Sequence, residues 1–295
     1  MSLRVFNRYT GCLESEPVVQ ENTLRWLYFN PVGGKVLHGL VRRRWFSIIW
    51  GKWMKSRWSR RYIQDFIHRY KIDMTETVPA HFGSFDDFFC RRLKIKARPF
   101  PSRKEWVGFP VDGRHLGFQS LREGQDFFAK GESFNLERLF RSSGHAKWFE
   151  EGTLVISRLC PLDYHRVHFP VDGIPTLTRL INGFLYSVNP LVLWRNARCF
   201  LENKRFVTFV DSPELRKIAL IEVGATGVGS VEQKFVPFVP VRRGQEKGCF
   251  HWGGSTVITL FQKGRVRLAE DLLTQTQRGY ELFARCGDMM AEAVS

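Results

Sequence analysis

Three stretches of the chain could do chemistry together. Gly253-Gly254-Ser255-Thr256 leads into the apolar run Val257-Ile258-Thr259-Leu260-Phe261, Phe109-Pro110-Val111-Asp112-Gly113 offers a carboxylate in a turn, and Asp163-Tyr164-His165-Arg166-Val167-His168 offers two imidazoles. Glycines without Cβ atoms let another part of the protein approach the peptide bond before Ser255, and the run that follows reads as a buried strand with the serine at its mouth. A serine hydroxyl is a poor nucleophile until a base takes its proton, and an imidazole oriented by a carboxylate is such a base. His165 and His168 are three residues apart. On a regular strand they would point to opposite faces, so both reach one site only from a loop, a bulge or a helical turn.

Each piece alone has an ordinary reading: Pro-x-Asp-Gly as a turn, Gly-Gly-Ser-Thr as a strand entry, a single histidine as a core or surface residue. In this order, however, they resemble the phosphatidylserine decarboxylases of prokaryotic type, pyruvoyl enzymes made from a proenzyme by self-cleavage at that serine. The resemblance takes in Phe85-Asp86-Asp87-Phe88-Phe89, Ala97-Arg98-Pro99, Ala129-Lys130-Gly131, Tyr186-Ser187-Val188-Asn189-Pro190 and Val223-Gly224-Ala225-Thr226, and so spans residues 84–262.

The resemblance implies a mechanism. Ser255 Oγ attacks the Gly254 carbonyl and turns the peptide bond into an ester; elimination leaves Gly254 as a new carboxyl terminus and residue 255 as dehydroalanine, which hydrolyses to a pyruvoyl group with loss of ammonia. The substrate amine condenses with that ketone as a Schiff base, CO2 leaves, and phosphatidylserine becomes phosphatidylethanolamine. It also implies His168 as base and Asp112 as its orienting carboxylate, meeting Ser255 in one site with the histidine within ~3.5 Å of one or both partners, and His165 near the substrate's carboxylate or carbanion. The cofactor is then the pyruvoyl group made from Ser255. The chain's partners are its own cleaved pieces, a β chain of residues 1–254 and an α chain of residues 255–295, with a homodimer of processed units suggested by the family.

Two departures stand out. Many family members carry leucine where this chain has Gly253, which would loosen the cleavage loop and slow processing, and Val111 stands where alanine is frequent. No Gly-x-Gly-x-x-Gly, P-loop, metalloprotease or EF-hand pattern calls for a nucleotide or a metal. A Ser-His-Asp hydrolase would use the same triad, but Ser255 lacks the Gly-x-Ser-x-Gly elbow. A pyruvoyl decarboxylase of a soluble amino acid, or a non-catalytic basic membrane-binding β protein, are the other readings; the last has no need of the Asp, His and Ser set.

These residues require a scaffold. With 295 residues, 43% hydrophobic and 14% aromatic, the chain can bury a substantial core. The pattern predicts an α+β fold: an N-terminal arm of amphipathic helices over 1–83, and a β-rich catalytic domain over 84–295 ending in a short helical tail from Asp271 to Ala284. Candidate strands are 152–156, 164–169, 175–181, 205–210, 217–224, 228–235, 256–261 and 265–268, with a helix at 136–140. Ser84 with Asp87 resembles a capping box that starts a helix carrying Phe85, Phe88 and Phe89 inward. Residues 1–23 read as a polar lead with a turn at Thr10-Gly11.

Six scattered cysteines without a C-x-x-C pair argue against zinc and disulfides and point to a reducing, cytoplasm-facing location. The formal charge of +16 implies a polyanionic partner. From Lys35 to Lys71 there are eleven Lys or Arg and one acid, Asp65, interleaved with Trp45, Trp50, Trp53 and Trp58. Apolar residues 37, 40, 41, 45, 48, 49 and 53 follow a helical face. Arg42, Arg43, Arg44, Trp45, Trp50, Lys52 and Trp53 are thus expected to bind anionic lipid at the membrane surface; the alternative is a solvated helix packed on the core by its tryptophans. No nucleic-acid-binding signature accompanies the charge. No signal peptide and no spanning apolar run is read in the sequence, so the expected place is peripheral, on the cytoplasmic face of the cell membrane.

Overall fold

The computed structural model describes residues 4–17, 19, 21–41, 44–122, 135–187, 199–225, 231–252 and 255–294. Gly253, Gly254, Arg42 and Arg43 lie outside these described residues, as do the 129–131, 188–190 and 226 positions of the family motifs and the side chain of Arg44.

The fold is α+β and dominated by one ten-stranded sheet. In order across it run β2 (Cys12–Ser15), β1 (Arg4–Asn7), β15 (Glu281–Ala284), β4 (Gly113–Phe118), β5 (Thr153–Leu159), β13 (Ser255–Phe261), β10 (Arg216–Val223), β9 (Arg205–Ser212) and β7 (Ile174–Pro175), with β8 (Arg179–Ile181) also on β9. All pairings are antiparallel except β1 with β15.

The central strands are buried on both faces, which explains their near-continuous apolar sequence. Ile156, Ile258, Leu260, Ala219 and Ile221 pack in one core with Leu139, Phe140 and Phe149 of the helical layer, α6 (Leu136–Phe140) and α7 (Ser143–Lys147) with the turn after it. Val155, Phe261, Ile218 and Leu220 pack in a second core on the other face. That core is closed by a small sheet of β14 (Val266–Leu268), β16 (Met289–Ala293) and β3 (Trp106–Gly108). A second small sheet joins β11 (Val231–Gln233), β12 (Glu246–Phe250) and β6 (Arg166–His168).

The N-terminal lead is a hairpin turned at Gly11, φ +65, and it adds two strands to the large sheet. Glu16, just past it, is buried against Arg158 (2.6 Å) and Arg114 (3.0 Å). Burial alone would raise its carboxyl, but the two guanidiniums outweigh it and hold the pKa at about 2.

The arm continues as α1 (Glu21–Phe29), α2 (Pro31–Val36), a π turn at Leu37–Val41, α3 (Arg44–Met54) and, after a 3-10 turn, α4 (Tyr62–Tyr70). Positions that share one helical face on paper part into two environments. Leu37 and Val41 are buried with Leu27, whereas Trp45, Ile48, Ile49 and Trp53 face outward, Trp45 50% and Ile49 61% exposed. The buried side of α3 is Ser47 and Met54.

α5 (Phe85–Phe89) forms as its capping box predicts: Ser84 Oγ accepts the Asp87 N–H at 3.2 Å, and all three phenylalanines are buried. A short helix, α8 (Cys199–Glu202), precedes β9.

The tail needs a correction. Only α9 (Glu270–Gln277) is helical; Gly279, at φ +79, reverses the chain, and Glu281–Ala284 continues as β15. Glycine at that left-handed position ends a helix without strain. The 175–181 strand also divides into β7 and β8 on the same partner, with Pro175 at the sheet edge, where its missing N–H costs no ladder bond.

Candidate active site

Strand register brings Asp112 and Ser255 to one end of the large sheet, whereas His168 belongs to the small β11-β12-β6 sheet. Ala284 pairs with Gly113, Leu159 pairs with Ser255, and Thr256 pairs with Val223. Gly113 sits against β5 so closely that a Cβ there would lie 2.5 Å from the Arg158 carbonyl oxygen. The glycine of Pro-Val-Asp-Gly is therefore required by backbone approach, and it sets Asp112 at the strand's mouth.

Asp112 is buried and fully occupied. Its carboxylate accepts from Arg98 Nε (2.7 and 3.0 Å) and Nη2 (2.6 Å) and from the Cys286 N–H (2.8 Å), while Arg98 Nη1 reaches Glu76 at 2.8 Å. Two-pronged guanidinium binding of this kind is strong and directional. It leaves no hydrogen bond from Asp112 to His168 among the described residues.

His168 ends β6 and is fixed from three sides. Its N–H donates to the Pro110 carbonyl (2.8 Å), its Nδ1 donates to the Gly244 carbonyl (2.8 Å), and its Nε2 meets the Tyr164 hydroxyl at 3.0 Å. The Gly244 bond assigns the proton to Nδ1 and leaves a lone pair on Nε2. Burial lowers its pKa below the usual imidazole value, opposed by the Gly244 carbonyl, Glu246 and Asp112. The Pro110 bond holds the ring two residues from Asp112, near enough to feel its charge without touching it.

His165 lies just before β6, where its irregular backbone turns it into different surroundings from His168. It is fully buried, its ring packed against Phe89 with centroids 3.8 Å apart and planes tilted by 34°. Nδ1 donates to the Asp163 carbonyl (2.9 Å), and Nε2 has no partner among the described residues. Burial pushes the pKa down to about 3, so the ring is neutral at physiological pH.

Ser255 is the first residue of β13 and fully buried; among the described residues its Oγ has no hydrogen-bond partner, nor do the hydroxyls of Thr256 and Thr259. A buried hydroxyl without a partner costs free energy, and such atoms are uncommon in folded proteins. It is the kind of atom expected where the chain undergoes chemistry of its own, and it fits a prosthetic group made from this residue.

Several residues of the site escape the sequence reading. Arg98 belongs to the Ala97-Arg98-Pro99 motif but carries no role there until its pairing with Asp112 is seen. Asp163 accepts the Cys160 N–H (2.6 Å) and pairs with Arg114, so it shapes the turn before the histidines. Asp86 of α5 accepts both His251 Nδ1 (2.7 Å) and the Trp252 N–H (2.8 Å).

Set beside known proteins, this β-rich α+β chain falls in a class of carboxy-lyase. The family model for phosphatidylserine decarboxylase matches residues 85–289. A phosphatidylserine decarboxylase proenzyme of Chlamydia muridarum is 40% identical over 291 residues, covering 98% of this chain and 97% of its own. Those of Chlamydia pneumoniae and Fusobacterium nucleatum are 42% identical over 273 residues (92% and 90% covered) and 38% identical over 281 residues (95% and 94%). The chain belongs to the phosphatidylserine decarboxylase family.

Proposed function

We propose that the chain cuts itself between Gly254 and Ser255 and then decarboxylates phosphatidylserine to phosphatidylethanolamine with the pyruvoyl group left at residue 255. The observation that carries this reading is the buried, unpartnered Ser255 Oγ at the mouth of β13, in a family whose curated relatives are named proenzymes. A pyruvoyl ketone supplies an electron sink for the pair released when a carboxylate leaves.

The chain's own residues divide the remaining work. Ser255 Oγ is the nucleophile of cleavage. His168 takes its proton on Nε2, for which its lowered pKa and fixed Nδ1 proton suit it at neutral pH. Reaching Ser255 requires Nε2 to give up the Tyr164 hydroxyl. Asp112 acts on His168 through its charge, since both its oxygens are engaged; Arg98 holds it still. His165, neutral with Nε2 unengaged, delivers or holds a proton at the substrate's α carbon.

The outward face of α3 docks the enzyme on anionic membrane. Trp45, Trp50 and Trp53 are exposed with Ile48 and Ile49 beside them, and Lys52 shares the exposed surface. Indoles suit headgroup depth and cations suit lipid phosphates. Among the described residues no helix is long and apolar enough to cross a membrane, which fits peripheral docking, proposed for the cytoplasmic face.

Intact mass tests the central claim. The 34.5 kDa chain should resolve into two pieces parted at 254/255, the smaller one blocked to Edman degradation. A homogeneous uncut protein that still decarboxylates overturns it.

A further inference from the structure

α5 lies outside the Ser, His and Asp set, yet everything around it leads to the cleavage bond. Its Asp86 is buried and grips the chain just upstream: Oδ1 accepts the Trp252 N–H at 2.8 Å and Oδ2 accepts His251 Nδ1 at 2.7 Å. The Trp252 ring sits among Phe66, Phe85 and Phe89, with centroids 6.0, 4.6 and 5.0 Å away. The helix is itself fastened, since the Phe85 N–H donates to Ser59 Oγ at 2.8 Å. On the other side of the bond, Ser255 and Thr256 are held in the ladder against Leu159 and Val223.

We infer that Asp86, with His251, is a positioning clasp for self-cleavage. It fixes the chain two residues upstream of the Gly254–Ser255 bond, so that only residues 253 and 254 span the gap between the clasp and the β13 ladder. Holding both flanks of a reacting bond lowers the entropy lost in reaching the attacking geometry. Burial tends to raise the Asp86 carboxyl, but the His251 and Trp252 hydrogen bonds outweigh it and hold the group ionised. His251 is correspondingly raised to about 9, first by Asp86 and then by Cys90, so it is a cation at neutral pH. The Cys90 Sγ lies 3.6 Å from His251 Nδ1 and also donates to the Phe250 carbonyl at 3.3 Å. Sequence gives Asp86 the look of a first-turn helix acid, a stabilising position in its own right; only the structure turns it toward residues 251 and 252.

The inference rests on the self-cleavage reading above, and one time course separates the two. The full chain and its variants are made by cell-free translation with labelled methionine, and precursor is followed into its two pieces, the smaller of which keeps Met289 and Met290. Asp86→Asn, which spares an acceptor for Trp252, should slow conversion about tenfold, and Asp86→Ala about a hundredfold. His251→Ala should resemble Asp86→Asn, while His251→Lys, which restores a cation, should return to within about threefold of the parent. A merely structural role would not sort by charge in this way. Melting in a Ser255→Ala background, where nothing is cut, reports the fold: the inference expects Asp86→Asn to stay folded there, and a collapse in melting that parallels the slowed conversion overturns it. A parent that is cut while Asp86→Ala is cut as fast overturns this inference alone; a parent that stays whole overturns the cleavage reading and the clasp with it.

Discussion

At the mouth of β13 the protein buries polar atoms without giving them partners; along α3 it exposes apolar ones without covering them. Ser255 Oγ and His165 Nε2 are sealed from water and bonded to nothing among the described residues, while Trp45 and Ile49 are half or more exposed. Each inverts the usual partition between core and surface, and each is unfavourable by itself. An unmade buried hydrogen bond costs about 1–3 kcal/mol, and an exposed large apolar side chain forgoes about 1.5–3 kcal/mol of burial. The two inversions differ in what would resolve them. Under the function proposed above, the inside is resolved by a reaction of the chain with itself and then with substrate. The outside is resolved by a surface the protein does not contain.

The sharpest way to break the interior half is Ser255→Ala. That chain should remain a single 34.5 kDa species with no activity; any cut product would move the nucleophile elsewhere. Next in size, His168→Ala should slow cleavage by about 10²–10⁴-fold, the usual worth of a general base. His165→Ala should cut normally yet lose decarboxylation to a similar degree. If it cuts and turns over as the parent does, its place in the chemistry is wrong.

Arg98→Met probes the clamp that holds Asp112. Removing one partner of a buried pair typically costs about 3–5 kcal/mol, read as a lower denaturant midpoint in the Ser255→Ala background. A cost below about 1 kcal/mol would mean that the pair behaves as an exposed one.

The exterior half is tested by substitution rather than deletion, because β1 and β2 of the same N-terminal region are strands of the large sheet. Trp45→Ala with Trp50→Ala should remove most of the binding to phosphatidylserine vesicles that survives high salt. Lys52→Gln should cost at most about 1 kcal/mol, visible only at low salt. Unchanged sedimentation of the tryptophan pair would assign docking to another face.

A further effect is on pH. His165 and His115 are buried with pKa values lowered to about 3, below the usual 6.5, so the unfolded chain binds more protons between those values. Stability is complete above pH 6.5 and declines as pH falls below it, by at most about 1.4 kcal/mol per pH unit for each group. Denaturant midpoints at pH 6.5 and 5.5 check it; a flat response would mean that neither imidazole is held neutral.

How much of this was legible in the sequence follows from the range of each interaction. β5, β9, β10 and β13 read correctly because their apolar runs state burial locally. β4 and β12 did not, because Arg114 and Lys247 look like surface residues until Glu16 and Glu222 are seen to neutralise them from distant parts of the chain. The tail strand Glu281–Ala284 is only four residues long and follows a true helix, so its alternation was too brief to compete. Asp112 was found through the family motif, but its partner was not: nothing in Ala97-Arg98-Pro99 says which carboxylate the guanidinium will take.

The order of the strands has one more consequence. β13 lies between β5 and β10, β15 between β1 and β4, and β16 beside β3, so every strand after residue 254 except β14 is laddered onto strands that precede it. A chain severed at 254/255 would keep its shape, yet its unfolding would change molecularity. The intact precursor melts as one species whatever its concentration, whereas the severed form must release two, and its melting temperature rises with protein concentration. Maturation would thereby convert a folding equilibrium into an assembly equilibrium, and dilution would become a stress to which only the mature enzyme is exposed.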